Sequence, residues 1–313
     1  MFWESILRGT LDVLGSVFVQ LIFTVGAFLL YGGFISLCNR FFYDACGDKA
    51  FWIVRVTGYI GTPIHELSHA LMCLLFGHTI QKISLFGDSK KSKTLGYVEH
   101  TYYRSNLYHQ IGNFFIGISP ILAGGGVILL LVRFLTPSLF GALYGETMAI
   151  GQSISGFDGS TILSLFDSLF NILIALFSWK MLTNWRWWIC MVLVFSIAIH
   201  MEISRSDIRS GLKGLGVISV LFLVADMILK VLFDQYGALS AFTSICFRFG
   251  IFMAVFMIIP AVFSALIGFA SLMGILVREA TKSIDNDRVA PVTNHHTVHG
   301  HKKTAQHKKE RKK

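Results

Sequence analysis

The sequence predicts an all-α polytopic membrane protein, a bundle of about six or seven transmembrane helices, with a small β-like loop after the helix that carries His65-Glu66-Leu67-Ser68-His69. Three observations carry this expectation. Of 313 residues, 54% are hydrophobic and only 14% are charged, whereas a soluble domain charges about a quarter of its residues. Long uncharged runs recur, the clearest between Asp12 and Arg40. The loops between these runs differ in their cations, as loops on opposite sides of a membrane do.

Runs suited to cross a bilayer cover 12–38, 52–76, 108–134, 161–179, 214–233 and 241–277, against the roughly 20 residues a spanning helix needs. The first is too long for a signal-peptide core, and no Ala-x-Ala cleavage site follows it, so it reads as a retained helix. Pro260 predicts a kink in the last. Trp187–Ile199 is shorter. A helix of that length covers about 20 Å of a hydrocarbon core about 30 Å thick. It is therefore either a re-entrant helix or a crossing extended through Ile203. Between the second and third runs, Ile80, Lys82, Ser84 and Phe86 alternate with Gln81, Ile83 and Leu85. Gly87-Asp88-Ser89 follows, and then Thr94 to His100. This pattern predicts two short strands joined by a turn.

Lys82, Lys90, Lys91, Lys93 and Arg104 place 77–107 in the cytoplasm, and 135–160, with no Lys or Arg, outside. Lys180 and Arg186, then Arg205, Arg209 and Lys213, mark two successive inside connections, so one segment between them enters and leaves on one side. From Arg278 to Lys313 there are ten Lys/Arg and four Asp/Glu. The chain thus divides into a membrane domain, 1–279, and a disordered, basic, His-rich cytoplasmic tail, 280–313. Behind a transmembrane helix such a tail reads as attracted to anionic lipid headgroups rather than to nucleic acid. Its His295, His296, His299, His301 and His307 read as a solvated linker. These features predict a multi-pass protein of a bacterial-type plasma membrane. The five cysteines show no C-x-x-C spacing and read as small hydrophobes, though Cys38 and Cys46 are near enough in sequence to suggest a pair.

His65 and His69, four apart, share one helix face and can aim two imidazoles at one ion. Glu66 sits on an adjacent line, where it reaches a water beside the metal rather than the metal. That is the mechanics of H-E-x-x-H: two Zn2+ ligands and a general base. Such residues are expensive at membrane depth, and three of them in five positions of an apolar run mark function. Thr62 suits a helix cap, with Pro63 at the first helical position.

Gly61-Thr62-Pro63-Ile64-His65-Glu66-Leu67-Ser68-His69-Ala70 resembles the zinc helix of the site-2-protease family of intramembrane metalloproteases. Gly112-Asn113-Phe114-Phe115-Ile116-Gly117-Ile118-Ser119-Pro120 also resembles a stretch of its bacterial members. The likeness covers roughly 52–134 well and the remainder loosely. It implies a zinc endopeptidase that cleaves transmembrane or membrane-proximal peptide bonds of a membrane-protein substrate, with Glu66 as catalytic base.

The third ligand is open among three residues. The family's Asp-Gly pair points to Asp158, before Gly159, but charge places that loop outside. His200 stands first on physical grounds, because it ends an apolar run at a depth where an unpaired imidazole is costly. His200 followed by Ser204-x-x-Asp207 also resembles a pattern of small family members. Asp207 can ligate, orient His200, or simply close a capping box with Ser204. Asp226 reads as a partner of Lys230, and Asn113 as a contact for substrate or for the zinc helix. A non-catalytic regulator that keeps the fold, and a transporter, are the rival functions.

Overall fold

The computed structural model describes residues 2–87, 95–153, 159–233 and 237–288. The chain separates into two compact units, Met1–Gly274 and Ile275–Lys313. Of the second unit only 275–288 are described, as helix, so most of the expected tail lies outside the described residues.

The N-terminal apolar run forms α1 (Phe2–Leu21), a π-helical turn (Ile22–Gly26) and α2 (Ala27–Cys46). Cys38 and Cys46 are both free. Eight residues apart on one helix, they are separated by about 12 Å along its axis, well beyond the reach of a disulfide. Then come α3 (Lys49–Leu75), β1 (Thr79–Ser84), β2 (Tyr97–Thr101), α4 (Leu107–Leu135), α5 (Pro137–Ser153), α6 (Gly159–Leu176), the single turn α7 (Trp179–Leu182), α8 (Trp185–Ala198), α9 (Arg205–Phe233) and α10 (Ala238–Arg288).

Among the described residues, four stretches are long and apolar enough to cross a membrane: Leu7–Cys46, Leu107–Leu135, Arg205–Phe233 and Phe256–Lys282. This is fewer than the expected six or seven. Helix α8 is apolar but has only 14 residues. Helix α3 carries Arg55, Thr57, His65, Glu66 and His69, which dilute its apolar content. Nor does α3 begin at Thr62. It starts thirteen positions earlier and runs straight through Pro63, whose missing N–H deprives only the Tyr59 carbonyl.

Helix α4 lies at the centre of the first unit and packs against α2, α3, α5, α8 and α9. Its Ile121, Ile128 and Val132 are fully buried, among Leu139 and Leu143 of α5, Ile172 and Leu176 of α6, and Val194 and Ile197 of α8. Asn106 starts α4: its Oδ1 accepts from the Tyr108 N–H at 2.9 Å and the His109 N–H at 3.4 Å, a cap worth about 1 kcal/mol. Helix α9 is the opposite case. Only Gly211, Gly214 and Asp226 are buried, while Val220, Val224, Val231 and Leu232 stand exposed, a surface suited to lipid.

Asp226 does not pair with Lys230. Both carboxylate oxygens meet Gln20 Nε2, at 2.9 and 3.0 Å, and Lys230 reaches Asp12 instead, at 3.2 Å. The fully buried carboxylate faces α1, and the longer lysine escapes outward.

The two expected strands form an antiparallel hairpin, with Thr79 opposite Thr101, Ser84 opposite Tyr97 and an irregularity between Ile80 and Lys82. The chain enters it through Gly77 at φ 71°. The Gly77 N–H bonds the Leu74 carbonyl at 3.2 Å and the His78 N–H bonds the Cys73 carbonyl at 2.8 Å. This left-handed helix ending suits glycine, which lacks the Cβ that would strain it.

Candidate metal centre

His65 and His69 face the same way from α3, and their Nε2 atoms are 3.1 Å apart. The opposite ring nitrogens are both anchored. His65 Nδ1 lies 2.6 Å from the His200 carbonyl oxygen, and His69 Nδ1 lies 2.8 Å from that of Ile116. A carbonyl only accepts, so each Nδ1 carries the proton and each Nε2 presents a lone pair.

Both carbonyls are free for a local reason. In a regular helix the Ile116 carbonyl would accept from residue 120, but residue 120 is proline and has no N–H. Ile116 O therefore accepts from His69 and from the Ser119 hydroxyl, at 2.8 Å each. His200 follows the end of α8, where the last carbonyls lack helical partners.

Asp207 completes the group. Its Oδ2 is 3.7 Å from His69 Nε2, and one donor atom from each of His65, His69 and Asp207 lies within 4.8 Å of the others. The first turn of α9 fixes this carboxylate. Asp207 Oδ2 accepts from the Ser204 N–H at 3.0 Å and the Ser204 hydroxyl at 2.6 Å, and Ser204 Oγ accepts from the Asp207 N–H at 3.2 Å. The expected capping box is therefore present, and the capping carboxylate also faces the histidines. Gly117 lets α9 come this close to α4, since a Cβ there would sit 2.8 Å from the Asp207 carbonyl oxygen. Asn113 bonds this same helix, not α3 or an open cleft: its Oδ1 accepts from Ser210 Oγ at 3.2 Å.

Two imidazole lone pairs and a carboxylate repel one another unless positive charge stands between them. A proton on one Nε2 serves a single pair of atoms, whereas a metal ion serves all three. Two histidines and one aspartate match the three protein ligands of a catalytic zinc site, so the residues present fit the ion. His200, ranked first from the sequence, does not join the group with its ring. Its Nδ1 sits 2.9 Å from the Ser196 carbonyl oxygen, and it is its own carbonyl that serves His65. Asp158 lies outside the described residues.

Glu66 is buried beside the pair. A cavity of about 220 Å³ opens onto His65, Glu66, His69, Tyr97, His100 and Asp207. The β-hairpin supplies one wall of that cavity and α9 another. Neither motif nor spacing singles out His100, or the group it joins on its other side, Cys73 and His78. Burial first, then the neighbouring His78, holds the His100 imidazole below its ordinary range. Burial is also the main cause for His78.

Comparison with protein-family models, with curated proteins and with solved structures found no match to this chain.

Proposed function

We propose that this chain is an intramembrane zinc metalloprotease of the site-2-protease kind, with His65, His69 and Asp207 as metal ligands and Glu66 as general base. The observation that carries the reading is the convergence of two bare Nε2 atoms and a capped carboxylate, with both remaining imidazole nitrogens tied to carbonyls. Anchoring of that kind is what keeps metal-binding histidines in one tautomer and one orientation. A zinc ion held there supplies Lewis acidity at neutral pH.

The rest falls to the protein. Glu66 borders the cavity without being one of the three converging donors, so its carboxylate is placed to take a proton from water and return it to the leaving amine. Tyr97 and Val98 of β2 line the same cavity. Among the described residues the sheet has two strands, so an extended substrate peptide can add along an edge and lie across the site. The apolar surroundings of α3 favour a substrate segment from within or beside the bilayer.

The test is Glu66→Gln. The variant should keep its zinc and lose cleavage of a membrane-protein reporter by at least about 100-fold, the usual scale of general-base catalysis. Normal cleavage by Glu66→Gln would refute the assignment. A zinc-loaded wild-type protein that cleaves no membrane reporter would favour a regulatory protein that keeps the site.

A further inference from the structure

We propose that Cys73, His78 and His100 form a second metal site, a thiolate and two imidazoles that hold a zinc ion one helical turn beyond the His65 and His69 pair. This inference does not rest on the proteolytic reading. Cys73 is four residues after His69, so it lies on the same face of α3, about 6 Å further along the helix axis. It is fully buried. The glycine turn at the end of α3 folds the chain back, so that the His78 N–H bonds the carbonyl of Cys73 itself. Sulfur and imidazole are thereby brought together by a five-residue span. The hairpin register then delivers the third donor: Ile80, two residues after His78, lies opposite His100.

The protonation pattern matches that of the first group. His78 Nε2 lies 2.8 Å from the His109 carbonyl oxygen, so it carries the proton and Nδ1 is bare. That bare Nδ1 is 3.0 Å from His100 Nδ1. Ligands of a tetrahedral zinc ion, at about 2.0–2.1 Å for nitrogen and 2.3 Å for sulfur, stand roughly 3.3–3.6 Å apart. Here the three donor atoms all lie within 4.8 Å of one another, so side-chain adjustment of about an ångström closes the site. A hydrogen bond between the two rings would use the imidazoles alone. It gives no reason for a buried thiol to share the same point. Thiolate and imidazole together select zinc and other borderline transition ions over magnesium or calcium, and the thiol proton leaves when the metal binds.

An ion there would pin the hairpin to α3. Because His100 also borders the cavity of the first site, it would set where β2 stands relative to Glu66. With three protein donors, the ion would keep a fourth position for water, and the role we assign it is to hold the hairpin in place.

The experiment uses the full chain in detergent micelles, loaded with zinc and freed of excess by gel filtration. Metal is counted per chain against the parent protein. Cys73→Ser and His100→Gln should each lose one equivalent, and His65→Ala/His69→Ala should lose a different one, so that combining Cys73→Ser with the double variant loses two. Loading with cobalt(II) adds a readout that no histidine-only site gives. The wild type and His65→Ala/His69→Ala should both show a near-ultraviolet thiolate-to-cobalt charge-transfer band, and Cys73→Ser should not. The proposal is overturned if the band is absent from the wild type or survives Cys73→Ser. It is equally overturned if His100→Gln, melting cooperatively like the parent, keeps its full zinc. Failure of the first site would instead show as no zinc lost from His65→Ala/His69→Ala.

Discussion

Replacing Pro120 with alanine should make α4 a more regular helix and the protein a poorer metal binder. The substitution restores an N–H at position 120, four residues after Ile116, and that N–H competes for the carbonyl now held by His69 Nδ1 at 2.8 Å. Proline in a helix interior is disfavoured by about 3 kcal/mol relative to alanine, so the intrahelical bond has a strong claim. Losing the carbonyl that orients a metal-binding histidine typically weakens metal affinity about 10–100-fold, equivalent to roughly 1.4–2.7 kcal/mol. The affinity is read by competition with a chromogenic zinc chelator in detergent, alongside a thermal melt. Pro260→Ala is the control. It removes a proline from α10, where the ring packs at 3.5 Å from the place a Cβ on Gly125 would occupy, and should leave zinc affinity unchanged. If Pro120→Ala binds zinc as tightly as the parent, the account of how His69 is held is wrong.

Asp207→Ala should lose the first-site zinc, whereas His200→Ala should keep it within a few-fold, because a backbone carbonyl survives side-chain truncation. Metal content of the two purified variants decides, and the reverse result would restore the histidine as ligand. Gly117→Ala should weaken the same site without replacing a ligand side chain, since its new methyl group meets the Asp207 backbone carbonyl oxygen at 2.8 Å. Overpacking of this kind costs about 1–3 kcal/mol, and a melt combined with zinc titration would show both effects. Gln20→Ala should lower the melting temperature by leaving the buried Asp226 carboxylate without its donor, a loss of about 1–3 kcal/mol. Adding Asp226→Ala should recover part of that loss, and a double variant weaker than both singles would contradict it.

How much was legible in the sequence depended on distance along the chain. His65, Glu66 and His69 sit within one and a half helical turns, so spacing alone places them. The hairpin was legible from alternation, and the Ser204 to Asp207 box from local capping chemistry. The third donor that converges on the two histidines was not. A buried histidine at a helix end looks costlier than an exposed capping aspartate, so burial favoured His200. In the structure the His200 ring bonds locally through Nδ1 to the Ser196 carbonyl, with Nε2 unpartnered, while the cap holds Asp207 facing His69 of α3. Asp226 misled in the same way: one-turn spacing to Lys230 suggested a pair, but burial against α1 selected Gln20. Cys73, His78 and His100 were invisible because no spacing rule links residues that meet only through a helix ending and a strand register. Of the six or seven expected spanning helices, four stretches among the described residues have the length and apolarity to cross, while α8 has only 14 residues.

The dependence of His65 on 200–207 has a consequence for biosynthesis. Both the carbonyl that orients His65 and the carboxylate that completes the first site come from that one short segment, 138 residues after His69. At about 5–20 residues per second, the ribosome needs on the order of 7–28 s to make it after the histidines have emerged. During that interval α3 carries two imidazoles with neither an orienting acceptor for His65 nor a third ligand. On the proposed reading, the nascent chain therefore lacks two of the parts of its metal site until α9 has begun.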